Sequence, residues 1–351
     1  MRIRRTLPVV LVVVVVAAAV TLAVQLRKLA PPEAARLLPG ADAFFYANLS
    51  WARRLNGGKD LPAVSHDPEY ERFIQQTGFQ FERDLDEAAF AVHYPGNRPA
   101  GGTGGSAPEM RFSEVLVGRF HGERLTGYLR QIARSIDTYH SVEIFTIPVE
   151  SRLLRVAVLS ADSVAASNHD DPAVIQGIVD RSKRLASPFG GPAFLRQYYR
   201  GVQLGSLSWV IAKIDPAAPE TAEWSAVFTK PATVVISGSL LSPLYLHVSA
   251  VHLRAEAFTG GGDEAAVLAD KLTAFIALTR SAEISVGTHG TDADVKALFD
   301  SVKVRQDGDH AVVTAAMPLG FLHKMLAGPP PELNEPAAMP PQSPAQPNPS
   351  R

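Results

Sequence analysis

The sequence predicts an α+β protein: two related units of antiparallel sheet with helices packed on one face, preceded by a single N-terminal transmembrane helix. Three observations carry this prediction. An uncharged apolar run of 18 residues, Leu7 to Val24, opens the chain. Through the body, short alternating segments rich in Val, Ile, Phe and Tyr recur between turn residues, the pattern of half-buried strands. Between them lie stretches whose apolar residues return every three or four positions, the pattern of one-sided helices.

The apolar run comes first. At about 1.5 Å rise per residue it reaches roughly 27 Å, close to the thickness of a hydrocarbon core. It exceeds the usual hydrophobic region of a secretory signal, and no convincing A-x-A site follows it. The run therefore reads as a retained anchor, with a cleaved signal as the alternative. Arg2, Arg4 and Arg5 precede it, while Arg27 and Lys28 follow it. The N-terminal cluster favours the N-terminus inside and the body outside. Residues 1–28 are thus assigned to the anchor and 29–40 to a linker.

The first unit, 41–190, opens with a strand at Ala43 to Leu49. Asp67-Pro68 supplies an N-cap and an N1 proline for a helix that Gly78 stops. "FERDLDE" (81–87) reads as a solvated helix face. Strands are expected at 88–94 and 113–120, joined by a glycine-rich loop. Its GGTGGS lacks the lysine and the following helix of a phosphate cradle. Leu125, Tyr128, Leu129 and Ile132 share a face of a helix over about 122–136. Two strands follow, Val142 to Val149 and Leu153 to Ser160, and Asp171-Pro172 starts another helix.

The second unit, 191–327, begins with a short amphipathic piece carrying Phe194, Leu195, Tyr198 and Tyr199. Strands are expected at 206–214, at "ATVVISGSL" and at 244–257. In the last of these the apolar parity shifts, which implies a bulge near Ala250. Asp263 is placed as the cap of a long helix, and a shorter helix follows at about 291–300. Then comes a hairpin turning at Asp307-Gly308, and a last helix, "LGFLHKML", ends at Gly328. The two units run through the same order of elements, without strong residue identity. Residues 328–351 are proline-rich and read as a disordered tail.

"LLPGADAFFYANLS" after an anchor, and the hairpin "VRQDGDHAVVTAAMP", resemble stretches of an uncharacterised family of bacterial membrane-anchored or secreted envelope proteins. The resemblance implies an envelope protein and brings no catalytic residues with it.

Composition narrows the function. Without the five basic residues of the anchor segment, 29 Lys and Arg stand against 35 Asp and Glu, a balance of −6. Nucleic-acid binders show a basic face, so this balance argues against that class. With no cysteine, disulfides, zinc-thiolate sites and cysteine nucleophiles are excluded. Hydrolase and dinucleotide motifs such as G-x-S-x-G, H-E-x-x-H and G-x-G-x-x-G are missing. "SNHDD" (167–171) reads as a helix cap rather than a metal site. His247 and His252, five apart on one strand, fall on opposite faces unless the bulge near Ala250 corrects the spacing; they read as solvent-facing histidines, with a metal pair as the alternative. Tyr198, Tyr199 and Trp209 fit core packing or a binding surface.

No catalytic, cofactor-binding or metal residue is therefore assigned, and no cofactor. The expected partners are the membrane, through Leu7 to Val24, and another envelope protein. The expected role is binding or scaffolding by a single-pass inner-membrane protein whose body faces the periplasm or exterior. The rival is an anchored hydrolase or metal-dependent enzyme with its site at the junction of the units. A third reading is a soluble periplasmic binder of a small ligand.

Overall fold

The computed structural model describes residues 30–63, 65, 67–95, 110–150, 152–183, 191–240, 250–286 and 293–326. The expected anchor (1–28), residue 29 of the linker, the glycine-rich loop, Leu244 to Val248 with His247, and the tail lie outside them; the remaining residues expected as a linker, 30–40, carry a short helix whose Ala34, Leu37 and Leu38 are buried in the core. No helix among the described residues is long and apolar enough to cross a membrane.

Among the described residues twelve strands form one antiparallel sheet. The two halves of the chain meet in it at the pair β1 (Ala43–Asn48) and β8 (Ser206–Ile214). Outward from β1 lie β2 (Leu85–His93), β3 (Arg111–Gly118), β7 (Ser163–Ser167), β6 (Arg152–Val158), β5 (Val142–Val149) and β4 (Ser135–Tyr139). Outward from β8 lie β9 (Ala232–Ser239), β10 (Ala250–Phe258), β12 (His310–Pro318) and β11 (Lys303–Asp307). The halves of the chain thus share a single sheet. Strand β1 explains why: Phe44 and Tyr46 point one way and are buried, while Phe45 points the other. A strand apolar on both faces belongs in the interior of a sheet.

Helices occupy both faces, which corrects the expectation of one. On the first face, α1 (Glu33–Leu37), α6 (Ala173–Lys183) and α7 (Ala193–Tyr198) cover the main core. There Ala34, Leu37, Ile175, Ile178 and Leu195 meet Phe44, Tyr46, Val115, Trp209 and Ile211. This is the closed face. The second face is covered only in patches. Helix α5 (Gly122–Ile132) sets Leu125 and Leu129 on Phe145, Val156 and Ala166. Helix α8 (Gly262–Val286) sets Leu268 and Ala269 on Ala257 and Ala311. Phe73 of α3 (Pro68–Thr77) and Phe81 of α4 (Phe81–Asp84) join Phe79 over Ala88 and Leu116. The remaining α-helices, α2 (Leu49–Leu55), α9 (Ala293–Ser301) and α10 (Leu319–Leu326), and two 3-10 segments, Tyr199–Gly201 and Pro219–Ala226, complete the described elements.

Local signals explain several elements. Asp67 Oδ1 accepts the Glu69 N–H at 2.9 Å, Pro68 opens α3, and Gly78 ends it at φ +72°. The last hairpin pairs Asp307 with His310, so its two loop residues are Gly308, at φ +62°, and Asp309. That turn lies one residue beyond the expected one. Helix α8 begins at Gly262, so Asp263 sits inside the first turn instead of capping it. Strands β4 and β7 were not expected, and α5 stops at Ile132 to make room for β4.

One close approach gives a test of the fold. A Cβ on Gly118 would lie 2.5 Å from the Asp84 carbonyl oxygen. Backbone cannot yield as a flexible side chain can. Gly118→Ala is therefore expected to destabilise the protein by about 1–3 kcal/mol, read as an earlier thermal unfolding transition.

Candidate functional site

The junction of the two halves is filled. Trp209 of β8, 1% exposed, stacks on Tyr46 of β1 at 5.6 Å and meets Tyr199 edge-on at 5.5 Å. Phe44 packs against Phe194, and Phe194 against Tyr198. The aromatics singled out in the sequence are core residues of the closed face. Among the described residues, no three His, Asp or Glu side chains are grouped to hold a metal ion.

"SNHDD" is committed to structure. Asn168 Oδ1 accepts the Phe112 N–H, Asp170 pairs with Arg111, and His169 Nδ1 accepts the Asp171 N–H. Asp171 Oδ1 accepts the Ala173 N–H at 2.8 Å, the capping role expected of it. The structure also joins residues that no motif connects. Ser113 Oγ lies 2.9 Å from Ser167 Oγ and 3.4 Å from His93 Nε2. Burial, then the neighbouring His169, holds His93 below the ordinary histidine range. Ser113 is fully buried and Ser167 donates to the Phe112 carbonyl, so neither hydroxyl is presented to a substrate. Nothing in the sequence signals this chain of groups, because strand pairing alone brings β3 to β7.

"FERDLDE" is not a solvated helix face. Glu82 and Asp84 are buried, and the strand has begun by Asp86. Glu82 Oε2 accepts the Tyr70 hydroxyl at 2.7 Å. Burial raises the Asp84 pKa. Hydrogen bonds from Arg83 and the Gln80 N–H, with the charges of Arg83 and Arg119, outweigh it and hold the carboxyl below its ordinary value. The partners come from other elements, which is why a local reading missed them.

The candidate site lies on the second face. Direct cross-strand partners trace one row over all twelve strands: Val304, Val313, Ala255, Ile236, Val210, Phe45, Phe90, Glu114, Ala166, Val156, Phe145 and Ile136. Every member is apolar except Glu114. From Ala166 to Phe145 the row is buried beneath α5. Among the described residues it is open from Phe45 to Ile236, with Phe45 38% and Ile236 39% exposed, while Phe90 is half-buried against the Phe79 cluster. In the neighbouring row Phe112 is 37% exposed, beside Val92, Ala43 and Ala212. Row residues two apart along each strand share this face.

Glu114 sits where the helix cover ends. Along its own strand, Leu116 packs into the Phe79 cluster, while Phe112 is exposed. Across the strands its partners are Phe90 and Ala166. No hydrogen bond or ion pair reaches its carboxylate among the described residues. Burial in these apolar surroundings pushes its pKa up to about 7. Between β3 and β10, Glu114 is the sole ionisable side chain in the middle row. A carboxylate on an apolar sheet face does not stabilise the fold, which singles Glu114 out as the candidate polar group of this face.

No family model matches the chain, and no curated protein matches it. Among solved structures, TP0453 in crystal form I aligns over 85% of this chain and 97% of that chain, with a TM-score of 0.39 and 8% identity. TP0453 in crystal form III aligns over 84% of this chain and 97% of that chain, with a TM-score of 0.38 and 7% identity.

Proposed function

We propose that this protein is a membrane-anchored binding protein of the bacterial envelope, held in the inner membrane by Leu7 to Val24, with its body in the periplasm or exterior. Its working surface is the open sheet face. One observation carries the binding role: an apolar row from Phe45 to Ile236 that no described residue covers, joined through the half-buried Phe90 to Glu114, which has no partner among the described residues. Exposed apolar area of this kind on a folded chain marks an interaction surface. The packed junction of Phe44, Tyr46, Trp209 and Ile211 supports a non-catalytic role over an enzyme with its site there.

The anchor is tested by alkaline carbonate extraction of membranes, with protease added to intact and to permeabilised envelopes. The full-length chain is expected in the pellet, with its body cut only after the outer barrier is opened. A shortened chain in the soluble fraction would instead make the segment a cleaved signal. The working surface is tested by placing a photo-crosslinking side chain at Phe45 and, as a control, at the exposed Glu123 of α5. Adducts are expected at position 45 and not at 123; equal yields at both would remove the open face from its role.

A further inference from the structure

We propose that the open face holds a single-headed cationic amphiphile, its aliphatic body lying across the strands and its ammonium group against Glu114. This rests on the reading of the open face as the working surface and names what that surface takes.

The shape of the surface sets the first requirement. From β3 to β9 the row crosses five strands, about 19 Å at the usual interstrand spacing. Phe90, Phe45, Val210 and Ile236 line it without a charge or a hydrogen-bonding side chain. Only an aliphatic or aromatic body gains by covering such a strip.

Charge sets the second. The one ionisable group stands at one end of the strip, not along it. A neutral occupant would leave Glu114 to take up a proton and would gain nothing from its charge, an anionic one would meet repulsion from the ionised form, and an ammonium group alone pairs with the carboxylate. A basic amphipathic helix spreads several charges along its length, which suits a row of acids rather than one. Stacking two copies face to face would bring further desolvation to Glu114 on each with no cation between them. The proline-rich tail carries Glu332 and Glu335 ahead of its single cation, Arg351. An amphiphile with one cationic head satisfies both requirements together.

The test uses the full chain in lipid nanodiscs at pH 8, with two photoreactive probes of equal length, a diazirine-bearing dodecylamine and the corresponding dodecanoate. Adducts are mapped by mass spectrometry. The amine is expected to label Phe45, Val210 and Ile236 at least tenfold more than the acid does. Glu114→Gln is expected to abolish that preference while leaving the fold intact, and Glu114→Lys to reverse it in favour of the acid. Shortening the amine by one methylene is expected to weaken labelling up to about fourfold. Equal labelling by both probes, adducts mapping elsewhere, or a preference that survives in the Gln variant would overturn the proposal. Displacement of the amine by a Leu/Lys amphipathic peptide, with no loss in the Gln variant, would assign the face to a helix instead. If the amphiphiles fail but crosslinks persist at Phe45 and not at Glu123, the ligand class falls and the binding role stands.

Discussion

Trp209→Ala is expected to cost about 3–5 kcal/mol, the largest loss of any single truncation in this fold. The side chain is fully buried where the two halves of the sheet meet. It contacts Tyr46 on the neighbouring strand and Tyr199 from the short 3-10 turn after α7. Removing it opens a cavity that neither strand can close, since both are held by partners on each side. Its indole Nε1 has no hydrogen-bond partner among the described residues, so packing rather than polarity accounts for its contribution. Urea denaturation of Trp209→Ala, with Trp51→Ala and Trp224→Ala as exposed controls, checks this. The controls are expected to shift by well under half as much. A loss at Trp209 no greater than theirs would mean the halves do not depend on their junction.

Glu114→Gln is expected to stabilise the protein at alkaline pH and to leave it unchanged in acid. The folded-state pKa is raised to about 7 by burial, above the ordinary value of 4.5. A raised carboxyl binds its proton more tightly in the folded chain. Stability is therefore full below the unfolded pKa, falls as pH rises through the window from 4.5 to about 7, and is flat beyond it. Glutamine has no such loss. The difference between the two proteins should be near zero at pH 4.5 and reach the order of 2 kcal/mol by pH 8, after allowance for partial solvation of the carboxyl. Denaturation midpoints across that range measure it directly. A constant offset at all pH values would show that Glu114 keeps an ordinary carboxyl.

Much of the fold is legible in sequence because its signals are local. The Asp67-Pro68 start and Gly78 stop of α3 need nothing outside the segment. The alternation in 206–214 and 142–149 likewise finds both strands at their observed limits. Where the decisive partner is distant, the reading fails. Strand β7, "SVAAS", has no large side chain to mark it, and it is buried because β3 and β6 flank it. Strand β4 is an edge whose first four residues are exposed, with only Ile136 and Tyr139 to mark it. Its hairpin turns at His140 and Ser141, both at positive φ, without the Asn-Gly pair that would have announced it. The candidate site was illegible for the same reason. Phe45, Val210 and Ile236 each look like ordinary strand residues, and Glu114 like an outward-facing one. Only the registers of successive strand pairs place them side by side.

Among the described strands β1 is made first, and it is one of the two at the centre of the finished sheet. Its second partner, β8, ends at Ile214. Until more than 160 further residues have been synthesised after Asn48, one edge of β1 presents unpaired amides flanked by Phe44, Phe45 and Tyr46. Pairing so remote in sequence closes slowly. The nascent chain therefore spends its most vulnerable interval with an aromatic strand edge open to passing chains. A chaperone that shields residues 43–48 during synthesis would raise the yield of folded protein more than one acting on any later strand.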